Sequence, residues 1–367
     1  MKILFVDLET EWRGGQNQAL LLLRALNARG DTAELVTVKG SALGKRALAR
    51  RVKVHSVPRY GTRASAALKI FNLTRNHAFD VVHANEAHAV TAAWLGGAHR
   101  QSAFVISRRV GYPLGKSRLA LDRYRAATRI VAISQWVVER LMESGAPKEK
   151  IAVVYEGVEM PPSTTSATRQ RARRRLRIPD DTILLGSVGV LSPDKGHELL
   201  IRAMAQLRTE FPESRLLLAG DGPSRMQLET VAKELGVAEK VIFAGFVTNI
   251  DSVYQALDVF LFPSSFEGLG TSLLAAMSYE VPSVAFQCCA FGEIIENEKS
   301  GLLVEQGNVD EIVSAVTRLW RDKEFARSIG QAGRARIGEK FSSTRMVEEM
   351  TRVYRDVLPP NLDENVI

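Results

Sequence analysis

The sequence predicts an α/β protein with two doubly wound parallel sheets. Three observations predict this class. The chain has 367 residues, enough for two ordinary domains. Short apolar runs alternate with helical patterns, and one stretch rich in proline, serine and threonine separates two such alternations. With 46% hydrophobic and 25% charged residues, the composition is that of a globular protein that buries a core in each domain.

Apolar runs of strand length recur along the first half of the chain, with helical patterns such as 17–28 and 135–144 between them. The runs are 3–6, 33–38, 52–57, 81–83, 104–107, 130–133 and 151–154. Ligands of a parallel sheet bind in the loops beyond the carboxyl ends of its strands. We therefore expect functional residues in the loops 9–16, 83–88 and 108–114, and at Ser134.

A second alternation begins after the proline-, serine- and threonine-rich stretch 160–168, which marks a domain boundary. Its strands are predicted at 183–188, 216–219, 241–243, 259–261, 283–286 and 302–304, and the last helices at 309–321, 323–340 and 344–357. The predicted division is an N-terminal Rossmann-like domain (1–158), a linker and basic helix (159–178), a second Rossmann-like domain (179–340), and a final helix with a tail (341–367).

The net charge of +8 is concentrated in two segments, 108–129 and 169–177. Such segments fit an anionic partner. The second contains no aromatic residue on which a base could stack, so nucleic acid is not expected as a partner. The part 116–129 of the first fits an anionic membrane surface or a lipid-linked acceptor, and a solvated helix face is the alternative.

The first seven residues are too short and too quickly acidic for a signal peptide, and no apolar run approaches the roughly 20 residues that cross a bilayer. A cytoplasmic protein is expected. The two cysteines, Cys288 and Cys289, are adjacent and form neither a disulfide framework nor a C-x-x-C site. We expect inert packing residues. The chain has no Asp-x-Asp and no histidines at metal-ligand spacing, so we expect no metal ion and no other cofactor.

The stretch 262–274 combines a buried strand, a loop with two glycines and the start of a helix. Gly268 and Gly270 let the backbone approach a ligand closely, and the first helical turn offers unpaired N–H groups to an anion. Glu267 is then left to bind something other than phosphate. A tight turn with a solvated acid is the alternative.

This stretch reads P-S-S-F-E-G-L-G-T-S-L-L and is followed by Ala276-Met277 and Val281-Pro282. It resembles the nucleotide-sugar signature of retaining glycosyltransferases of the GT-B type (glycosyltransferase family four, group one). The resemblance covers nearly the whole chain. It implies two Rossmann-like domains that face each other across a cleft, with the acceptor in the first, the donor in the second, and a final helix that crosses back to the first.

The resemblance also implies three catalytic residues. Loop 189–197 is similar to the family's G-R-L-x-x-x-K-G, in which the lysine, here Lys195, neutralises the departing diphosphate. Glu267 would position the donor sugar, and His83 would contact that sugar near its reacting carbon. For His83, a core histidine hydrogen-bonded to backbone is the alternative.

The remaining expected site residues lie in glycine loops and at strand ends. The donor-binding residues are expected to be Gly14, Gly15, Asn85, Gly189, Gly222, Phe246, Val247, Gly268, Leu269, Gly270, Thr271 and Ser272. The acceptor-binding residues are expected to be Glu86, His88, Arg108 and Arg109. A guanidinium fork matches phosphate or carboxylate, although a solvated surface pair is the alternative for the two arginines.

The chain departs from the family pattern at several positions. Asparagine at Asn85 replaces a histidine, Val190 replaces the arginine, and Ala275 replaces the second acid, which takes the ribose hydroxyls. Glu280 stands where a glycine usually ends the helix, and Cys289-Ala290 stand in place of Gly-Gly.

Two functional hypotheses follow. The first is an active, metal-independent, retaining hexosyltransferase. It would move a sugar from a UDP- or GDP-sugar to a glycan, lipid-linked or small-molecule acceptor, in cell-envelope polysaccharide or lipopolysaccharide synthesis at the inner face of the membrane. The second is a degenerate GT-B protein that binds a nucleotide sugar or a glycan without transfer.

Overall fold

The computed structural model describes residues 1–76, 78–115 and 118–359. Residues 360–367 of the expected tail and Lys116 of the basic segment lie outside the described residues. Internal contacts divide the chain into two units. The first consists of Met1–Gly157 and the segment that begins at Ser343, and the second is Val158–Ser342. Each unit contains one parallel sheet with helices packed against it.

The first unit forms a seven-stranded sheet, and its strands confirm the positions predicted from the apolar runs. They are β1 (Lys2–Asp7), β2 (Thr32–Val38), β3 (Val54–Val57), β4 (Val81–Ala84), β5 (Ala103–Arg108), β6 (Arg129–Ala132) and β7 (Ile151–Val153). The order is β3-β2-β1-β4-β5-β6-β7, and every pair is parallel. Phe5 aligns with Leu35 on one side and with His83 on the other. The strand order reverses between β1 and β4, where doubly wound sheets bind ligands.

Helices connect these strands, and several of them begin directly after a strand at a polar capping residue. They are α1 (Gly14–Ala28), α2 (Ala42–Ala49), α3 (Thr62–Asn76), α4 (Ala87–Leu95), α5 (Ala98–Gln101), α6 (Arg118–Arg125) and α7 (Gln135–Glu143). Ser134 caps α7 by accepting a hydrogen bond from the Val137 N–H, and Glu86 caps α4. These caps place polar side chains at the carboxyl edge of the sheet.

The second unit repeats the architecture with six parallel strands, again at the predicted positions. The strands are β8 (Ile183–Val188), β9 (Ser214–Ala219), β10 (Val241–Gly245), β11 (Val259–Phe262), β12 (Ser283–Phe286) and β13 (Leu302–Val304). The helices are α8 (Ser166–Leu176), α9 (His197–Glu210), α10 (Arg225–Glu234), α11 (Asp251–Ala256), α12 (Thr271–Ser278), α13 (Phe291–Ile294), α14 (Val309–Arg321) and α15 (Lys323–Lys340). The strand order β10-β9-β8-β11-β12-β13 reverses between β8 and β11.

Two arginines of the basic segment 169–177 form ion pairs within this unit. Arg169 and Arg173 on α8 each reach one carboxylate oxygen of Asp258, both at 2.6 Å. Arg173 is 3% exposed and also donates to four backbone carbonyl groups, including those of Ala256 and Thr182. These two arginines therefore hold α8 against the sheet.

The last helix, α16 (Ser343–Asp356), packs on the first unit. Its Met346, Met350 and Tyr354 belong to the apolar core that α1 and β1 also build. The Tyr354 hydroxyl lies 2.6 Å from Nδ1 of His83 on β4. Nε2 of the same imidazole lies 2.7 Å from the Ser107 hydroxyl on β5, so a buried polar chain joins α16 to two strands.

This polar chain yields a stability prediction. Tyr354→Phe removes the hydroxyl and leaves Nδ1 of His83 buried without a partner. We expect it to lower the free energy of unfolding by about 1–3 kcal/mol. Calorimetric melting of the full chain measures the change. The matched control is Tyr60→Phe, because Tyr60 is 91% exposed and should tolerate the loss of its hydroxyl. Equal melting temperatures for both variants would contradict a role of this bond in holding α16.

Candidate functional site

The loops that follow β8, β9 and β10 are bound to one another by backbone hydrogen bonds. The Gly189 N–H donates to Ala219 O at 3.0 Å, and the Gly220 N–H donates to Gly245 O at 2.8 Å. A Cβ on Gly220 would lie 1.8 Å from Gly189 O, so Gly220 must be glycine for these loops to meet. A Cβ on Gly189 would meet nothing within 4 Å, which leaves room for a ligand. Gly222 serves loop packing, because a Cβ at this position would lie 2.5 Å from Leu191 O.

Lys195 and Glu267 come from different loops and meet in an ion pair. Lys195 Nζ lies 2.6 Å from Glu267 Oε1 and 3.4 Å from Asp194 Oδ2. The two loops are bound together by the Ser265 N–H, which donates to Asp194 O at 2.9 Å. Gly196 turns the chain with a left-handed φ of 66°, and its Cα approaches Pro263 so closely that a Cβ would lie 2.3 Å from Pro263 O.

The neighbouring carboxylates keep the Lys195 ammonium of this pair in its charged form. Burial disfavours the Lys195 ammonium, but the nearby carboxylates of Glu267 and Asp194 outweigh burial and raise the pKa of Lys195. Both side chains of the pair keep about a fifth of their surface exposed, at 20% for Lys195 and 23% for Glu267. A permanently charged ammonium is thus accessible beside a carboxylate that can accept hydroxyl groups.

The helix α12 begins beside this ion pair without a capping side chain. Its N-cap residue Gly270 adopts a φ of 110°. The backbone N–H groups of the first turn, at Thr271 and Ser272, therefore lack a partner within the helix and lie at the positive end of the helix dipole, and both residues are half-buried. Gly268 and Leu269 are buried, and the Leu269 side chain is 1% exposed, so Leu269 offers only its backbone to a ligand.

Two further expected donor residues follow β10. Phe246 is 75% exposed, although aromatic side chains are usually buried, and Val247 beside it is half-buried. An exposed ring at the carboxyl edge of a sheet is a platform on which a base can stack. Ala275 lies on the second turn of α12 and is half-buried, so no carboxylate faces a ligand from that position.

The two cysteines lie in the loop after β12, beside the loop that carries Glu267. The thiols of Cys288 and Cys289 approach the carbonyl oxygens of Ser264 and Ser265 at 3.6 Å and 3.5 Å. The neighbouring Cys288 thiol lowers the pKa of Cys289. Cys289 adopts a left-handed φ of 52° at a position where the family pattern has glycine. That both cysteines are inert packing residues stays a prediction.

At the carboxyl edge of the first unit, a buried network centres on Asp7, the last residue of β1. Its carboxylate accepts hydrogen bonds from the side chains of Asn85 at 2.7 Å and Gln16 at 3.0 Å. Burial raises the pKa of Asp7 despite these bonds. Asn85 also accepts a hydrogen bond from Nη2 of Arg109 at 2.8 Å, and Arg109 forms an ion pair with Glu156.

The two arginines expected to bind an acceptor are thus occupied by the protein. Arg109 bonds to Asn85 and Glu156 and packs against the glycine loop, where a Cβ on Gly15 would lie 3.2 Å from its Cδ. Arg108 is 8% exposed and donates to the Tyr112 carbonyl and the Tyr124 hydroxyl. Neither arginine is a solvated surface residue.

Gly14 and Gly15 form the first turn of α1, which has no capping side chain. The N–H groups of this turn are therefore available to a ligand, as in α12. Gly14 is exposed and Gly15 is half-buried.

Glu86 and His88 lie at the start of α4. The Glu86 carboxylate accepts from the N–H groups of Leu8 at 3.2 Å and Ala89 at 2.7 Å, and also from that of His88. Burial, together with the charge of Asp7, raises the pKa of Glu86 to about 7. The His88 side chain is exposed.

His83 does not reach the surface. It is fully buried, both ring nitrogens are hydrogen-bonded, and burial lowers its pKa to about 3. This geometry is that of a neutral core histidine, which was the alternative interpretation of the sequence, except that its partners are the side chains of Tyr354 and Ser107 rather than backbone.

Sequence reasoning missed Asp7 and Glu156, and it included Gln16 only as part of the expected functional loop 9–16. Asp7 carried the clearest signal, because an acid that directly ends a buried strand lies at the ligand-binding edge of a parallel sheet. Glu156 does not end a strand and lies in the loop after β7 (Ile151–Val153). Among the described residues, no three histidine, cysteine or acidic side chains group as a metal site. No helix in that part of the chain is long and apolar enough to cross a membrane.

The chain contains two doubly wound sheets, and one of them carries a lysine, a glutamate and an uncapped helix N-terminus at its carboxyl edge. This is the architecture expected of a GT-B glycosyltransferase. Two family models match. "Glycosyltransferase Family 4" matches residues 12–160, and "Glycosyl transferases group 1" matches residues 168–336. The chain belongs to the GT-B glycosyltransferases that these two models describe.

The sequence of the chain is also similar to those of individual glycosyltransferases. The chain is 31% identical over 233 residues to an uncharacterized glycosyltransferase of Methanocaldococcus jannaschii, covering 62% of this chain and 60% of that one. It is 30% identical over 250 residues to a GDP-mannose-dependent alpha-(1-6)-phosphatidylinositol monomannoside mannosyltransferase of Mycolicibacterium smegmatis, covering 65% of each. The match thus spans less than two thirds of the length of these relatives.

The structure of this chain superposes on a solved structure over nearly the full length of both chains. The crystal structure of HepE of Anabaena in complex with UDP-glucose superposes with a TM-score of 0.86 at 21% sequence identity, covering 97% of this chain and 100% of that one. This likeness shows that the chain has the GT-B fold.

The raised pKa of Glu86 yields a pH prediction. Between its usual value of 4.5 and about 7, the folded state holds a proton that the unfolded state has released. The free energy of unfolding therefore falls as pH rises through this window. Glu86→Gln cannot ionise, so we expect its melting temperature to fall less than that of the wild type between pH 5 and pH 8. Glu234→Gln on α10 is the control, and identical pH profiles for wild type and Glu86→Gln would refute the assignment.

Proposed function

We propose that the protein is a retaining glycosyltransferase that takes a sugar from a nucleoside diphosphate sugar, with UDP- and GDP-sugars as the candidate donors. The observation that carries the proposal is the ion pair of Lys195 and Glu267 beside the uncapped start of α12. An accessible ammonium and free backbone N–H groups suit a diphosphate, and the adjacent carboxylate suits the hydroxyls of a sugar. The mycobacterial relative is by its name GDP-mannose-dependent, and HepE was crystallised with UDP-glucose.

In the proposed reaction, the bond between the anomeric carbon and the diphosphate oxygen breaks while negative charge builds on the diphosphate. Lys195 and the N-terminus of α12 stabilise that charge. In this proposal, groups of the chain itself rather than a metal ion therefore stabilise the departing diphosphate. The acceptor hydroxyl attacks the anomeric carbon from the face that the diphosphate leaves, and its proton passes to the departing phosphate oxygen. The products are a glycoside with retained configuration and a nucleoside diphosphate.

Other expected residues take supporting roles in the proposal. Glu267 positions the hydroxyls of the donor sugar, Phe246 offers its exposed ring to the base, and Gly189 gives the phosphates room. His83 contacts no substrate in this proposal and stabilises the fold instead, because its ring is buried and both ring nitrogens are hydrogen-bonded.

The acceptor belongs to the first unit in this proposal, and a lipid-linked glycan of the cell envelope is one candidate. The helix α6 supports a membrane-surface role, because its Arg118 and Leu119 are exposed and Tyr112 just before it is 59% exposed. Each basic residue near an anionic membrane contributes about 1 kcal/mol.

Ala275 supports a second candidate function, a protein that binds a nucleotide sugar or glycan without transfer. With alanine at this position, α12 offers the ribose hydroxyls no charged acceptor, and a lost hydrogen bond to a charged group costs about 1.5–3 kcal/mol. Hydrolysis of the donor in the absence of acceptor separates the two functions, because only an active enzyme releases free sugar.

The direct test of the proposal combines binding with turnover. UDP, GDP or their sugars should raise the melting temperature of the wild type, because a ligand that binds only the folded state stabilises it. Glu267→Gln should keep the fold and lower sugar transfer by about a hundredfold or more, since the donor sugar loses its positioning charge. Glu234→Gln serves as the control. Wild-type turnover in Glu267→Gln would remove Glu267 from the mechanism.

A further inference from the structure

A cavity of about 530 Å³ opens at the carboxyl edge of the first unit, next to the Asp7 network. Its walls come from the ends of three neighbouring strands and the starts of two helices. They include Leu8 after β1, Arg59 after β3, Thr62 and Arg63 in the first turn of α3, and His88 in the first turn of α4. Its volume is within the range of about 300–1,000 Å³ that small-molecule sites occupy.

The cavity carries positive charge that the protein does not neutralise. Within the described ranges, neither guanidinium of Arg59 and Arg63 has a hydrogen-bond or ion-pair partner, and both residues are exposed. On the same edge, Arg108 and both terminal nitrogens of Arg109 are in contrast bonded to protein groups, although Nε of Arg109 is buried without a partner among the described residues.

Two of the acidic groups near the cavity are engaged by protein groups, and a third, Glu9, lies between the lining residues Leu8 and Thr10 and is half-buried. Glu86 lies behind the cavity wall, and its carboxylate accepts from the N–H groups of Leu8, His88 and Ala89. Glu11, in the loop after β1, pairs with Arg13 at 2.6 Å. Two free guanidinium groups therefore face an open space that is large enough for a sugar-sized ligand.

The chemistry of the cavity also distinguishes it from a nucleotide site. Among the described residues that line it there is no phenylalanine, tyrosine or tryptophan, so a base would find only the His88 imidazole on which to stack. The Thr10 hydroxyl and the His88 imidazole offer hydrogen bonds beside the two arginines, whereas the Thr62 hydroxyl already donates to the Arg59 carbonyl at 2.6 Å.

We propose that this cavity binds the acceptor through an anionic group, a carboxylate or a phosphate, held by Arg59 and Arg63. The inference rests on the proposed function and makes it more specific, since it narrows the acceptor to an anionic compound. It also assigns the contact with the anion to Arg59 and Arg63, whose guanidinium groups are unpaired in the described part of the chain. Arg108 and Arg109, which were expected to make this contact, bond to protein groups instead. The anionic group can belong to a free metabolite or to a lipid headgroup.

The test compares the wild type with a double variant, Arg59→Gln with Arg63→Gln. The matched control is Arg171→Gln with Arg174→Gln, which removes two exposed arginines from α8 in the other unit. Calorimetric titration of the full chain uses L-malate, myo-inositol 1-phosphate and neutral myo-inositol. Co-sedimentation with phosphatidylglycerol or phosphatidylcholine vesicles tests the headgroup source. Circular dichroism verifies that all proteins are folded.

We expect at least one anionic probe to bind the wild type and the control equally, and to bind the Arg59 and Arg63 variant about ten- to a hundredfold more weakly. Tighter binding of the free anions indicates a metabolite, and selective binding of phosphatidylglycerol vesicles indicates a headgroup. The assignment is overturned if no anionic probe binds, if the double variant binds as well as the control, or if myo-inositol binds as tightly as its phosphate.

Nucleotide binding in the same samples separates this proposal from the proposed function. UDP or GDP should shift the melting temperature of all three proteins equally, because the nucleotide loops lie in the second unit. If no nucleotide shifts any of them while the anion still binds through Arg59 and Arg63, the glycosyltransferase assignment fails and the anion site stands.

Discussion

The contact of Lys195 with Glu267 is the constraint on which the donor site depends. It brings together two loops that are 72 residues apart in the chain, at 2.6 Å. A partly exposed pair of this kind contributes only about 1 kcal/mol or less to folding. The second unit nevertheless uses a left-handed glycine at Gly196 and a backbone bond from Ser265 to hold this geometry. Stability alone does not explain that arrangement, which fits the proposed contact of a diphosphate sugar with both charges.

The charged side chains described at the carboxyl edge of the first unit form two groups, one paired within the protein and one unpaired. At the switch point between β1 and β4, Asp7, Asn85, Arg109 and Glu156 satisfy one another in a buried network. Such a network fixes loops but offers little free charge to a ligand. A few residues away along the same edge, Arg59 and Arg63 stay free around a cavity. The buried network thus fixes the loops at this edge of the sheet. In our proposal, the two unpaired arginines beside it bind the anionic ligand.

Strand positions and the Lys195 and Glu267 loops were predictable from the sequence, because apolar runs and glycine motifs are local patterns. Side-chain pairing was not. Arg108 and Arg109 have the composition of an anion site, but their partners come from Tyr124 and from Glu156, 47 residues further along the chain. Asp7 meets Asn85 across 78 residues. Which charges a fold neutralises depends on such long-range contacts, and no short motif encodes them.

Amide hydrogen exchange with and without UDP or GDP tests the location of the donor site most directly. Bound nucleotide would protect backbone N–H groups that otherwise exchange with water. We predict that protection appears in the loops 189–196 and 266–272 of the second unit, and that Glu267→Gln retains it because the diphosphate is held by Lys195 and α12. Protection confined to the first unit, or an exchange pattern that saturating nucleotide leaves unchanged, would contradict the central claim.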